Sequence, residues 1–375
     1  SFLPIPEKTK SFETGLESQF FHNALNLDIT YYNSAMHNSY LNITGLNSKT
    51  QPVNSGVIRN QGVELSVGYN WTINRNWGWK TNVNFSYNHN KIEKTYTDKY
   101  GQSKEMVQDI AQGKIQVRYN EGDAYGDIYV TDFARWRDDV YDNNGQLIHK
   151  AGDIFIDEGT GKPAINGNLM VMKNGEAEPA KVDANGKSYK KKFGKYAGNM
   201  NADYQLSWSN NFRYKDFNLY ILINGRIGGK VISLTEAYLD RFGVSKRTGD
   251  ARAKSEKLGL YTADGRHAMY INEGRDLVSV EDYYTEVGNS DASSYIYNGT
   301  NFRLREVSLG YTFRDLLGEG KNLSLSVIGR NLFFIYKDAP VDPDISVSTA
   351  NGLGGIDMFN VPSSRSFGVN LKLNF

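Results

Sequence analysis

Three aspartates stand close together in KDAPVDPDIS (337–346), and Asp338, Asp342 and Asp344 are oxygen donors of the kind calcium takes. Their spacing matches no helix–loop–helix calcium loop, and Asp-Pro and Asn-Gly pairs more often punctuate turns. A weak calcium site is therefore one expectation here and turn chemistry the other. A second group is aromatic: Tyr125, Tyr129, Trp136 and Tyr141 fall within GDAYGDIYVTDFARWRDDVYDNNGQLI (122–148). Flat rings with polar edges can stack on sugars or on peptide side chains, and equally can pack a loop onto itself. A third group is acidic: Glu13, Glu17, Glu64 and Glu306 could touch a polar solute or simply face water. No nucleophile elbow, phosphate loop or paired-histidine spacing occurs, and there is no cysteine. No enzyme, cofactor or metal centre is expected beyond the calcium candidate.

What positions such residues is written in the composition. The 43 basic and 42 acidic residues nearly cancel, so no overall field draws the chain to nucleic acid. Apolar residues reach only 39%, yet aromatics make 13% and there are 37 glycines against 8 prolines. Many short strands with one polar face produce such numbers. The longest apolar runs, LYILI (219–223) and LFFIY (332–336), have five residues, against about 20 for a spanning helix. SFLPIPEKTKSFETG, the first residues, shows neither a basic start nor an apolar core of a signal peptide, so the expectation is either a cytoplasmic protein or a chain whose natural beginning lies elsewhere, and the strand pattern favours the second.

Strict two-residue alternation runs through the chain. In RSFGVNLKLNF (365–375), Phe367, Val369, Leu371, Leu373 and Phe375 oppose Gly368, Asn370, Lys372 and Asn374. Stretches 24–32, 62–69, 77–88, 204–212, 217–225, 306–313 and 322–329 behave alike, and 12–20 does so more weakly. Period two marks a strand with one wet and one greasy face. Glu13, Glu17, Glu64, Glu306, Asn370 and Lys372 take the wet face.

A soluble sandwich would bury the greasy faces against a second sheet, whereas an outer-membrane barrel turns them to lipid and encloses a lumen with the wet ones. Strands of about ten residues, aromatics near strand ends and alternating connections all favour the barrel. Tight turns at 20–23, 72–76, 213–216 and 314–321 alternate with long segments near 36–56, 95–198, 230–299 and 337–361. The expected fold is thus all-β: nine strands of a transmembrane antiparallel β-barrel, with 95–198 and 230–299 as large extracellular excursions. Nine is odd, so an antiparallel barrel needs further strands to close. Within 230–299, residues 239–259 read as partly helical. Arg303 and Arg305 fall on the greasy side by simple alternation. They could clear the hydrocarbon, meet lipopolysaccharide phosphates, or be re-aimed by a bulge.

Five blocks in order, PEKTKSFETGLESQFFHNALNLDITYYNS (6–34), NSGVIRNQGVELSV (54–67), NFRLREVSLGYTF (301–313), LSLSVIGRNLFFIYKDAPVDPDIS (323–346) and VPSSRSFGVNLKLNF (361–375), carry a resemblance. Together they resemble the C-terminal part of a SusC/RagA-type TonB-dependent transporter of the Bacteroidota outer membrane. The resemblance implies a 22-stranded barrel whose plug and TonB-contacting segment lie outside these residues. It also implies a SusD/RagB-like surface lipoprotein as lid, paired assembly of two transporters with two lids, and oligosaccharide or oligopeptide uptake. Phe375 resembles the terminal aromatic that marks such barrels for assembly. A passive porin, or in another class a surface β-rich adhesin or glycan-binding module, are the alternatives.

Overall fold

A computed structural model describes residues 5–44, 50–54, 56–97, 100–104, 106–109, 114–165, 167–182, 185–186, 195–316, 318–344 and 354–374. One nine-stranded sheet dominates, with every strand hydrogen-bonded to its neighbours in chain order. Its members are β1 (Lys8–Phe20), β2 (Leu25–His37), β3 (Val57–Thr72), β4 (Trp77–Lys94), β5 (Tyr204–Tyr214), β6 (Phe217–Ile227), β7 (Asn301–Phe313), β8 (Asn322–Lys337) and β9 (Ser366–Asn374). All eight pairings are antiparallel.

The register puts like with like. Leu27, Val67, Val83, Trp208 and Ile223 form one apolar row across five strands. Glu17, Asp28, Ser66, Asn84, Ser207, Asn224 and Arg303 form a polar row across seven. Among the described residues no protein layer covers the apolar side: Leu309 is 52% exposed, Val327 56%, Val369 71% and Leu371 59%. In a sandwich these would be the best-buried side chains. Here they form a broad oily surface, which a sheet carries only where acyl chains take the place of water.

Buried apolar clusters lie instead mainly in the long connections, with Ile92 at the outer end of β4 joining one of them. Ile115, Val117, Ile128 and Val130 from the first excursion pack with Ile232 and Ala292 from the second. Phe133 joins Ala237, Val287 and Tyr295 in another such mixed cluster, and Ala134, Trp136, Phe155 and Met170 form a third. The two excursions therefore fold as one cap. Its helices, α1 (Leu234–Arg241), α2 (Lys246–Leu258) and α3 (Val280–Ser290), each begin at a serine whose side chain accepts a first-turn N–H: Ser233, Ser245 and Ser279. α2 ends on Gly259 in the left-handed conformation that glycine adopts without strain. Among the described residues no helix is long and apolar enough to cross a membrane, which says nothing about strands.

One glycine in the sheet is fixed by a neighbour's ring. The Tyr32 hydroxyl reaches from β2 across Gly62 of β3 to donate to Asn88 Oδ1 on β4, at 2.9 Å. A Cβ on Gly62 would stand 2.1 Å from the Tyr87 carbonyl oxygen and 2.5 Å from the Tyr32 hydroxyl. Around Gly368 of β9 nothing lies within 4 Å. Gly62→Val is expected to reduce the fraction of protein that reaches the heat-modifiable, SDS-resistant barrel, while Gly368→Ala leaves it unchanged. Equal folding of both variants on unheated gels would contradict this packing.

Candidate functional site

The polar face of the sheet is concave. A cavity of about 570 Å³ is lined by Asp28, Thr30, Glu64, Ser66, Asn84 and Arg226, among others, and is closed on one side by Asp344 from the β8–β9 connection. Short hydroxyl and amide side chains dominate because the strand rows stack like polar residues: Ser66 Oγ donates to Asn82 Oδ1 at 3.3 Å, and Asn82 Nδ2 to Asn84 Oδ1 at 3.0 Å. Glu13 and Glu17 stand on this face opposite Tyr32 and Asp28, and Glu64 opposite Thr30 and Ser86. Glu306 is paired with Arg330 at 2.8 Å. Asn370 and Lys372 stand on the same face opposite Ser326 and Ser324. Phe375 lies outside the described residues.

Of the two arginines with three open readings, Arg303 is placed by one irregularity. The β6–β7 ladder slips between Leu222 and Ile223, pairing Leu222 with Glu306 and Ile223 with Leu304, so Arg305 has no partner opposite it. A bulge inverts the alternation beyond it. Leu304 and Phe302 turn to the apolar face, and Arg303 turns to the polar one, opposite Asn224. There its guanidinium lies 4.2 Å above the Phe334 ring, a cation–π contact. It also binds the Asp342 carboxylate and lies 3.5 Å from Asp344. Arg303 and Asp342 side chains are each only 6% exposed. Lys337 Nζ donates to the Pro340 and Val341 carbonyls at 3.0 and 3.3 Å. Together these contacts latch residues 338–344 over the polar face.

That latch corrects the calcium expectation. Asp342 and Asp344 are held by a guanidinium rather than converged on a common centre, and Asp338 accepts the Asn298 N–H at 2.9 Å. The aromatic group is also dispersed. Trp136 is 4% exposed, wedged among Ala134, Phe155 and Met170 and stacked on His149 at 4.4 Å. It packs the cap and presents no face to a ligand, contrary to the stacking expectation. Tyr125 lies against Tyr119 at 5.0 Å at the edge of the largest core cluster. Tyr129 pairs with Tyr196 at 5.5 Å and carries Arg118 over its ring. Only Tyr141, 57% exposed, offers most of its surface to solvent. Alternation placed Ser66, Asn84 and Ser86 on the wet face, and the residues missed by pattern reading are Arg226 and Asn301. Strand register alone brings these together, and no local motif marks them.

With this geometry in view, the likenesses to known proteins fall into place. Residues 2–157 match the family model described as TonB dependent receptor-like, beta-barrel. TonB-dependent receptor P3 of Formosa agariphila is 25% identical over 98% of this chain and 34% of its own length. TonB-dependent receptor SusC of Bacteroides thetaiotaomicron is 23% identical over 98% of this chain and 32% of its own. The structure of the RagAB peptide transporter superposes with a TM-score of 0.64 at 17% identity, covering 98% of this chain and 35% of that one. The chain thus spans about a third of the length of the relatives it matches. These findings bear out the SusC/RagA-type resemblance, the all-β barrel class and the outer-membrane location.

Asp342 makes the latch acid-sensitive. Burial pushes its carboxyl up, but hydrogen bonds from Ser363, the Asp344 N–H and Arg303, with the charge of Arg303, outweigh that and hold it below the usual range. An acid so lowered stabilises the latched state at pH above the ordinary value of about 3.9, and the contribution is lost as pH falls through the lowered value. Arg303→Gln strands a buried carboxylate, at a cost of about 3–5 kcal/mol. Residues 338–344 should then exchange amide hydrogens and be cleaved by protease at neutral pH, as wild type does only in acid. Unchanged protection in the variant would show that the pair does not hold the segment.

Proposed function

We propose that this chain forms part of the barrel wall of an outer-membrane, TonB-dependent importer that takes up oligosaccharides or oligopeptides beneath a SusD/RagB-like surface lipoprotein. One observation carries the reading: a nine-stranded antiparallel sheet whose apolar face is bare and whose polar face is concave and hydrogen-bonding. Unpaired backbone groups at the outer edges of β1 and β9 cannot stand in hydrocarbon, so further strands complete the ring and a plug fills it. The tight turns then face the periplasm. The cap built from 95–198 and 230–299, with Tyr141 among its exposed rings, lies outside, where a lid protein and a second transporter–lid pair would dock. Glu13, Glu17, Glu64, Asn370 and Lys372 line the lumen and meet plug, water or substrate. Lipid and lipopolysaccharide meet the opposite face, and Phe375 serves as the assembly signal.

Within this reading the residues of the chain have defined tasks. The Asn and Ser rows offer both donors and acceptors, which suits hydroxyl-rich or amide-rich solutes and disfavours apolar ones. The Arg303–Asp342 latch holds residues 338–344 across the mouth side of the cavity. Energy coupling would come from outside this chain, through TonB and the plug. The same strands without a plug would make a passive porin, which leaks solute down its gradient.

Deletion of the gene in its host is expected to abolish growth on one class of oligomer as sole nutrient, with monomers still supporting growth. Loss of TonB or collapse of the proton gradient should stop uptake equally. Uptake that survives both would favour the porin. Release of the protein from membranes by alkaline carbonate without detergent would favour the adhesin.

A further inference from the structure

Outside the polar face, three side chains in the cap gather in a way that the transport reading does not use. His149 and Asp153 come from the first excursion and Asp276 from the second, and one donor atom from each lies within 4.8 Å of the other two. We propose that these residues bind a divalent transition cation of the zinc class, which staples the two excursions together.

The surroundings argue for a prepared site. His149 Nδ1 is shut off from solvent and has no hydrogen-bond partner among the described residues, an expensive state for a buried ring nitrogen unless something satisfies it. The ring is fixed in place by stacking on Trp136 at 4.4 Å and 14°. Asp276 is steadied by Asn272 Nδ2 at 2.6 Å. Asp153 accepts from Arg275 at 2.7 and 2.8 Å and from the Lys150 N–H at 2.8 Å. Metal-binding side chains are usually oriented in this manner by a surrounding set of partners. Arg275 pairs with one of the two carboxylates, which leaves the other free to hold a cation beside the imidazole. Imidazole with two carboxylates selects a borderline ion such as Zn²⁺ over calcium, which takes oxygen alone. Zn²⁺ held at about 2.0–2.2 Å from each donor draws the three together by small side-chain rotations, and water completes the tetrahedron.

The staple has a structural purpose at this place. Asn272 already bridges the excursions, accepting the Ile154 N–H at 2.9 Å and donating to the Ile154 carbonyl at 2.8 Å. An ion at His149 would lock their relative position through a contact independent of apolar packing.

The test uses the complete transporter in detergent, stripped with chelator, and the metals alone as probes. One equivalent of Zn²⁺ is expected to bind, with hydrogen exchange slowed together at 149–156 and 271–276. Asn272→Ala should weaken binding about 10–100-fold. His149→Ala and Asp276→Asn should abolish it, in protein whose barrel still runs as the heat-modifiable species. Co²⁺ should quench one tryptophan contribution that Trp136→Phe lacks, a readout that does not depend on the ligand variants folding perfectly. Zinc bound equally by His149→Ala, calcium binding in preference to zinc, or no zinc bound by the wild type would each overturn the proposal.

Discussion

Every feature of this molecule follows from one constraint: in hydrocarbon, backbone N–H and C=O groups have no water to bond, so a spanning sheet must satisfy them within itself. Nine long strands in chain order meet it for all but the outermost edges. Once the ladder is fixed, side chains have only the two faces to choose between. Period-two alternation then assigns oil to one side and polarity to the other with no freedom left over. The sheet needs no second layer, and the bare surface at Leu309, Val327 and Val369 is the consequence.

A structure arranged this way inverts the usual distribution of its core. Close-packed apolar residues with almost no exposure, such as Ile115, Val117 and Ile232, sit mostly in the connections, joined by Ile92 from the outer end of β4. The cap is stabilised as a water-soluble domain is, by burial of aliphatic and aromatic side chains and by capped helices. Trp136 and Tyr295 belong to that economy. Their rings stabilise the cap from within, which removes Trp136 from any ligand surface.

Where the two regimes meet, the ladder is interrupted. The bulge at Arg305 lets β7 leave the membrane pattern and present Arg303 inward, to a ring on β8 and a carboxylate on the following connection. One extra residue on one strand thus turns a charge from the lipid side to the polar side and anchors a loop with it. The cost of burying a guanidinium is offset by a carboxylate partner and an aromatic face placed for it.

Sequence alone determined the existence and order of all nine strands, and their faces except at the bulged start of β7, since alternation needs only chain-local information. It also set the four tight turns and the helical stretch at 239–259, but not α3. Strand ends away from the tight turns ran further than the alternation did: β3 begins at Val57, β4 ends at Lys94 and β8 ends at Lys337. Beyond the oily band both faces can be wet, so the ladder continues after the pattern that advertises it has stopped. Only the tertiary structure decided the rest. The choice among three positions for Arg303 depended on a register slip, the fate of Asp342 on an arginine 39 residues away, and the burial of Trp136 on neighbours in a cap. Such contacts depend on distances across strands and between connections, and a linear spacing does not contain them.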